Sequence, residues 1–364
     1  MSTEARIAVV PEDATTLRIE TVPLPAPSPH QVLVREHASG ICHSQLHEIH
    51  GPRTSDLLVG HEATGTVLEV GSAVEDVGPG DRVLVTWLPR GPELPKRTPE
   101  SASILQANGR AAYSQGVYTW SDHTLVDELY VVPMSPEVRT DVTSIIGCAV
   151  MTGSGAVLHT AGVKAGDSVA IFGVGGVGLS AIAAARIIGA DPIIAVDLDD
   201  EKLALARQHG ATVGINARES DPVARIRELT PMPGAVDLMG QPIAGVDFAI
   251  DCIGAPETAR QILPAARNKR VGAPEYGTAI IVGIPRERLD VDPLDIVAQE
   301  KRLTGSIGGG CIPARDFPVF LDWFERGELD LDALVSQRFA LDEINEAVRA
   351  LEAGEIAGRA ILEF

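Results

Sequence analysis

Asp167-Ser-Val169-Ala-Ile-Phe172-Gly173-Val-Gly175-Gly176-Val177-Gly178 leads through an alanine-rich segment to Ile193-Ile-Ala-Val-Asp197, and this stretch decides the fold. The apolar run Val169 to Phe172 reads as a buried strand, and the segment from Leu179 to Ile188 reads as a helix that packs on a sheet. A second apolar strand then ends on an acid, about 20 residues past the last glycine, as in dinucleotide-binding units. Each glycine has a job. Gly173 allows the tight turn, Gly175 lets the backbone approach a pyrophosphate, and Gly178 lets helix and strand pack closely. Gly176 and Val177 lie between them, where the amides of the new helix's N-terminus face an anion. At the end of the second strand, the Asp197 carboxylate is suited to accept hydrogen bonds from ribose hydroxyls. It would repel a 2′-phosphate, which favours NAD over NADP.

Bulk properties limit the partners. A chain of 364 residues has room for two cores. Its net charge of −20 argues against nucleic acid and against an anionic membrane surface, both of which reward clustered Lys and Arg. No apolar stretch approaches the ~20 residues of a membrane span. The opening Met-Ser-Thr-Glu-Ala-Arg segment is too short and too acidic for a secretory signal, so a cytoplasmic location is expected. Four cysteines in a chain of this size do not form a disulfide framework, which raises the question of metal binding.

From Ile7 to Val132, short β-branched runs alternate with Gly- and Pro-rich turns, and Pro23, Pro25, Pro27 and Pro29 exclude helix between two of them. This half reads as an irregular, mostly antiparallel β-domain. It carries Cys42 and His61, and Cys148 follows shortly after. Thiolates and imidazole are zinc ligands, and a catalytic site keeps three of them plus an open position. Spacing alone leaves open two core cysteines and an unrelated histidine.

The flanking residues extend the reading. Gly40-Ile-Cys42-His43-Ser44-x-x-His47, Gly60-His61-Glu62, Gly147-Cys148-Ala-Val-Met-Thr152-Gly153 and the glycine loop stand in the order found in zinc-dependent medium-chain alcohol dehydrogenases. The chain resembles that family over essentially its whole length. The resemblance implies that Cys42, His61 and Cys148 hold a catalytic zinc and that Glu62 is a carboxylate behind it. Ser44 would take the substrate's proton, and His47 would pass it to solvent. Thr152 and Val177 would press on the nicotinamide, with Val282 on the cofactor side and Lys202 near the ribose. Trp87, Trp120 and Ile284 would surround the substrate, though ordinary packing accounts for the tryptophans equally well. Arg359 matches an arginine at the pyrophosphate, and a homodimer or homotetramer is implied.

Three departures stand out. His43 replaces an arginine that many relatives place at the pyrophosphate. Histidine is only partly charged near neutral pH, so cofactor binding should weaken as pH rises. Gln45 replaces an aspartate that supports the zinc sphere. The segment Gly91 to Gly116 holds no cysteine where many relatives carry a four-cysteine lobe, so one zinc per chain and no structural zinc is expected. That polar, proline-rich segment reads as a loop at the substrate entrance or at a subunit contact.

After Thr152, strands alternate with helices, giving enough for a six-stranded parallel sheet with its cleft at the switch point. Cys252 and Cys311 read as packing residues. The fold expected is α/β: a Rossmann doubly wound sheet plus a GroES-like, mostly antiparallel β-domain. The catalytic domain takes 1–151 and 308–364, and the NAD-binding domain takes 152–307. No nucleophile elbow or Walker loop is present, and the histidines of His47-Glu-Ile-His50 are too close for a metalloprotease helix. The resulting expectation is an NAD(H)- and zinc-dependent oxidoreductase acting on a small alcohol, aldehyde or ketone. A biosynthetic carbonyl reductase with the same residues is one alternative, and a non-catalytic cofactor-binding module is another.

Overall fold

A computed structural model describes residues 3–91, 97–106, 108–285 and 287–364. The chain divides into unit 1, Met1–Met151 with Ile312–Phe364, and unit 2, Thr152–Cys311. The second crossing falls at Ile312 rather than at residue 308, so the Gly308–Gly310 turn belongs to unit 2.

Unit 1 begins with β1 (Glu4–Val10), β2 (Arg18–Pro23), β3 (Gln31–Ile41), α1 (His43–His50), β4 (Asp56–Leu58) and β5 (Glu62–Val70). It continues with β6 (Arg82–Thr86), β7 (Ser103–Leu105), β8 (Ala111–Tyr113), β9 (His123–Asp127) and β10 (Val131–Met134). One sheet has five strands in the order β2-β1-β4-β8-β7. Alternating residues of these strands bury Ile7, Val9, Val22 and Leu58 in a core shared with Tyr118. The segment 91–116 is therefore not all loop. Residues 92–96 and 107 lie outside the described ones, but β7 and β8 form a hairpin at the sheet edge. Ala102, Ile104 and Ala112 pack into the core there. Arg97 anchors the start of this segment with a two-pronged pair on the fully buried Asp127, at 2.5 and 2.9 Å.

After α2 (Ala149–Gly155) come β11 (Val169–Phe172), α3 (Gly176–Ile188), β12 (Ile193–Asp197), α4 (Asp200–His209), β13 (Val213–Asn216) and α5 (Pro222–Leu229). Next are the hairpin β14 (Pro231–Val236) and β15 (Pro242–Ala244), then β16 (Phe248–Asp251), α6 (Pro256–Ala265), β17 (Thr278–Ile281), α7 (Pro293–Val297) and β18 (Arg302–Gly305). Six strands form one sheet in the order β13-β12-β11-β16-β17-β18, and every pairing in it is parallel. All four residues of β11 are buried, as expected of a strand covered on both faces. The strand order reverses beside β11, which puts the switch point at the glycine loop.

The chain returns to unit 1 as α8 (Pro313–Glu325), α9 (Leu331–Leu334), β19 (Val335–Ala340), α10 (Ile344–Glu352) and β20 (Arg359–Glu363). α8 has Pro313 in its first turn and Pro318 inside it. β20 completes the second sheet, β10-β6-β5-β3-β20-β19, in which β9 also pairs with β3. No helix among the described residues is long and apolar enough to cross a membrane.

Candidate metal centre and nucleotide cradle

Strand register builds the metal centre. β3 and β5 are antiparallel with Ser39 opposite Ala63, so Cys42, just past the end of β3, and His61, just before β5, emerge at the same end of the sheet. β6 is next, with Thr86 opposite Glu62, and its hydroxyl donates to the carbonyl of Gly147 at 2.7 Å, bringing Cys148 alongside. Gly60 has φ of 95°, and a Cβ there would stand 2.5 Å from the backbone nitrogen of Trp120, so the turn into His61 requires glycine.

The ligand atoms of Cys42, His61 and Cys148 lie within 4.8 Å of one another. Atoms sharing one tetrahedral zinc stand ~3.5–3.8 Å apart. The two thiols are buried, and Nε2 of His61 is buried with no hydrogen-bond partner. Buried polar atoms are rarely left unpaired, and a metal ion is the natural partner for this nitrogen. The Cys148 hydrogen bond holds the Cys42 thiol well below its usual range; burial opposes this, and the Arg359 and His61 charges reinforce it. The residues therefore fit zinc.

The surroundings of these ligands are specific. Gln45, fully buried in α1, accepts from the Cys42 amide at 2.9 Å, and its side-chain amide also meets Nδ1 of His61. The carboxylate of Glu62 accepts from the Ala149 amide at 3.3 Å and pairs with Arg359 of β20. Ser44 and His47 are three residues apart on α1 and so share a face. The Ser44 hydroxyl is buried without a partner, while His47 is half-buried. His43 is exposed in the first turn of α1.

One expectation about unit 1 needs correction. Trp120 does not line a pocket. It is fully buried among Ile41, Ile49 and Leu341, and its indole N–H donates to the Gly40 carbonyl at 3.2 Å. Arg359 is 5% exposed and pairs with Glu62 through one Nη, while its Nε is buried without a hydrogen-bond partner. Trp87 remains a candidate. Extending the β5–β6 register places it opposite His61, and it is only partly buried.

In unit 2 the glycine loop has the geometry its sequence implies. Gly173 has φ of 85°, and a Cβ on Gly178 would stand 1.9 Å from the Gly173 carbonyl oxygen. A Cβ on Gly175 would meet nothing within 4 Å, so open space faces the backbone at the start of α3. That is room for an anion at a helix N-terminus. Asp197 ends β12 with its carboxylate accepting from the Val174 amide at 2.9 Å and the Leu198 amide at 2.7 Å. It therefore sits against the loop it is expected to serve. Lys202 lies in the first turn of α4, Val282 just past β17, Thr152 within α2, and Ile284 is exposed. Cys252 is held protonated by burial and the neighbouring Asp251. Cys311 lies within 4.8 Å of a ring nitrogen of His159, a neighbour that spacing did not reveal.

Comparison with known proteins agrees with this geometry. The model of the alcohol dehydrogenase GroES-like domain matches residues 28–136, and that of the zinc-binding dehydrogenases matches 176–326. An alcohol dehydrogenase class-3 from Cereibacter sphaeroides is 30% identical, with 98% of each chain covered. The chain belongs to the zinc-dependent medium-chain alcohol dehydrogenases. Another member of this family, an S-(hydroxymethyl)glutathione dehydrogenase of Paracoccus denitrificans, is also 30% identical, over 96% of this chain and 97% of that one. Among solved structures, an alcohol dehydrogenase zinc-binding domain protein from Burkholderia ambifaria superposes with a TM-score of 0.87 at 28% identity, with both chains fully covered. The benzyl alcohol dehydrogenase of Acinetobacter calcoaceticus gives 0.85 at 27%, covering 100% of this chain and 99% of that one. As a member of this alcohol dehydrogenase family, the protein is a zinc-dependent oxidoreductase that transfers hydride between an alcohol and a nicotinamide cofactor.

Proposed function

We propose that the protein interconverts a primary, flat or aromatic alcohol and its aldehyde with NAD(H), using one zinc held by Cys42, His61 and Cys148. The observation that carries this reading is the cluster of three ligand atoms with an unpartnered His61 Nε2, next to an unpartnered Ser44 hydroxyl. Bound there, zinc supplies a Lewis acid that acidifies an alcohol and polarises a carbonyl. The chain's own residues do the rest. Ser44 accepts the substrate's proton at Oγ while releasing its own, and His47, on the same face of α1, passes a proton to solvent. Glu62, fixed by Arg359 and the Ala149 amide, keeps a negative charge behind the ligands. In unit 2 the glycine-loop amides hold the pyrophosphate, and Asp197 selects NAD over NADP. Thr152, Val177 and Val282 flank the nicotinamide, and Lys202 lies by the ribose. Trp87, beside His61 in unit 1, borders the substrate.

The aromatic preference draws on Trp87 and on the likeness to a benzyl alcohol dehydrogenase. The relatives named for S-(hydroxymethyl)glutathione favour a second reading, an anionic thiol adduct as substrate. A net charge of −20 weighs against it. A panel of benzylic, aliphatic and glutathione-adduct substrates, run in both directions with NAD and NADP, separates the two. Zinc measured on the same sample should give one ion per chain, and two would overturn that part. Sedimentation should show a homodimer or homotetramer.

A further inference from the structure

The indole N–H of Trp120 reaches a backbone carbonyl, that of Gly40, at 3.2 Å. The indole of Trp87 reaches none: its Nε1 is buried without a hydrogen-bond partner. An indole nitrogen only donates, so nothing but an acceptor can satisfy it. Buried tryptophans usually find one, because a buried donor left unmade is destabilising.

Strand register sets Trp87 beside the metal centre. β5 and β6 pair with Ala63 opposite Val85 and Glu62 opposite Thr86, so one further step sets Trp87 opposite His61. Residues opposite each other on antiparallel strands project to one face, with Cβ atoms ~5 Å apart. Trp87 packs against a core that includes Ala63, Val67, Val83 and Val85, whose side chains offer no acceptor. Ser44 Oγ and His61 Nε2 are likewise buried without partners, and the proposed chemistry gives both a use. It gives Trp87 Nε1 none.

We propose that Trp87 is a specificity-determining residue: its indole N–H donates to the substrate, and the preferred alcohol carries a neutral acceptor oxygen, an ether or a carbonyl, on its aromatic ring. A carboxylate would also accept, but it would bring an unpaired charge against the valine core. An apolar substituent of the same shape leaves the N–H unmade, and sites with a buried polar group discriminate against such analogues. The inference rests on the reading of the substrate as an aromatic alcohol.

Methoxybenzyl and ethylbenzyl alcohols are matched in shape, and only the methoxy oxygen accepts a hydrogen bond. kcat/KM is measured for the ortho, meta and para pairs with the wild type and with Trp87→Phe, which keeps an aromatic ring but lacks the donor. Comparing the two proteins cancels the electronic effect of the substituent on hydride transfer. At one ring position at least, the methoxy-to-ethyl ratio should be about 10–100-fold higher in the wild type than in the variant. A second readout needs no turnover. The chain has three tryptophans, so its indole ¹⁵N–¹H spectrum is simple. With NADH bound, methoxybenzyl alcohol should move the Trp87 indole proton downfield, and ethylbenzyl alcohol should not. Equal ratios in the two proteins at all ring positions overturn the proposal, as does an unmoved indole signal. If Trp87→Phe does not fold, a wild-type ratio near or below one at every position overturns it alone. Flat ratios with good turnover of benzyl alcohol would leave the aromatic reading standing. A zinc-loaded wild type that turns over no benzylic alcohol would refute that reading and this proposal together.

Discussion

Arg359 and Glu62 form a buried ion pair, with side chains 5% and 0% exposed, between the last strand of the chain and the strand that begins beside His61. A second glutamate oxygen accepts from the Ala149 amide, next to Cys148, so the pair ties two ligand segments to β20. Breaking it from one side leaves an uncompensated buried charge. Arg359→Met should lose about 3–5 kcal/mol of stability in urea unfolding, and Glu62→Gln added to it should recover much of the loss. A single-variant loss below about 1 kcal/mol, the range of exposed pairs, would show that the pair is not structural.

The ligand set and the glycine loop belong to different units, so their functions should separate on mutation. His61→Ala should retain no zinc and show no turnover, while NADH fluorescence still reports binding to unit 2. Full activity in a zinc-free His61→Ala would remove the basis for the metal centre.

Glu36 lies in β3 with both carboxyl oxygens buried and without partners. Burial, with the Asp122 charge adding to it, pushes its carboxyl well above the usual range. The folded state therefore holds the proton more tightly than the unfolded chain, and stability falls as pH rises above the unfolded value of about 4.3. Glu36→Gln should be more stable than wild type at pH 7, with the difference closing below about pH 4. Parallel stability curves from pH 4 to pH 7 would rule this out.

Asp197 accepts three backbone amides at the end of β12 and is expected to add ribose hydroxyls to them. Hydrogen bonds to a charged acceptor contribute about 1.5–3 kcal/mol, so Asp197→Ala should weaken NAD binding roughly 10–100-fold. NADP binding should weaken less or improve, since a repulsive charge is removed. Titration of both cofactors checks this, and an unchanged NAD/NADP ratio would mean Asp197 does not select the cofactor.

Much of the site was legible before folding because its physics is local. Gly173 and Gly178 are constrained by a turn and a contact within a few residues, and Cys42, Ser44 and His47 sit on one short helix and its cap. Trp120 and Arg359 were not legible in that way. A tryptophan between two turns reads equally well as pocket or core, and it becomes core because its indole reaches Gly40, far back along the chain. An arginine near the C-terminus reads as a free cation until β20 pairs with β3 and sets it against Glu62. The hairpin within 91–116 was hidden for a related reason: its strands are three residues each and gain stability only at the edge of an existing sheet.

The sequence alone determined the parallel sheet and the glycine loop with its acid, through short-range periodicity and glycine stereochemistry, while the choice of Cys42, His61 and Cys148 as ligands came from the resemblance to the family. Tertiary structure alone decided which charges are available. Strand register placed Arg359 on Glu62, turned the Gln45 amide onto His61 and closed the core over Trp120, because partners so far apart in the chain meet only once the sheets have formed.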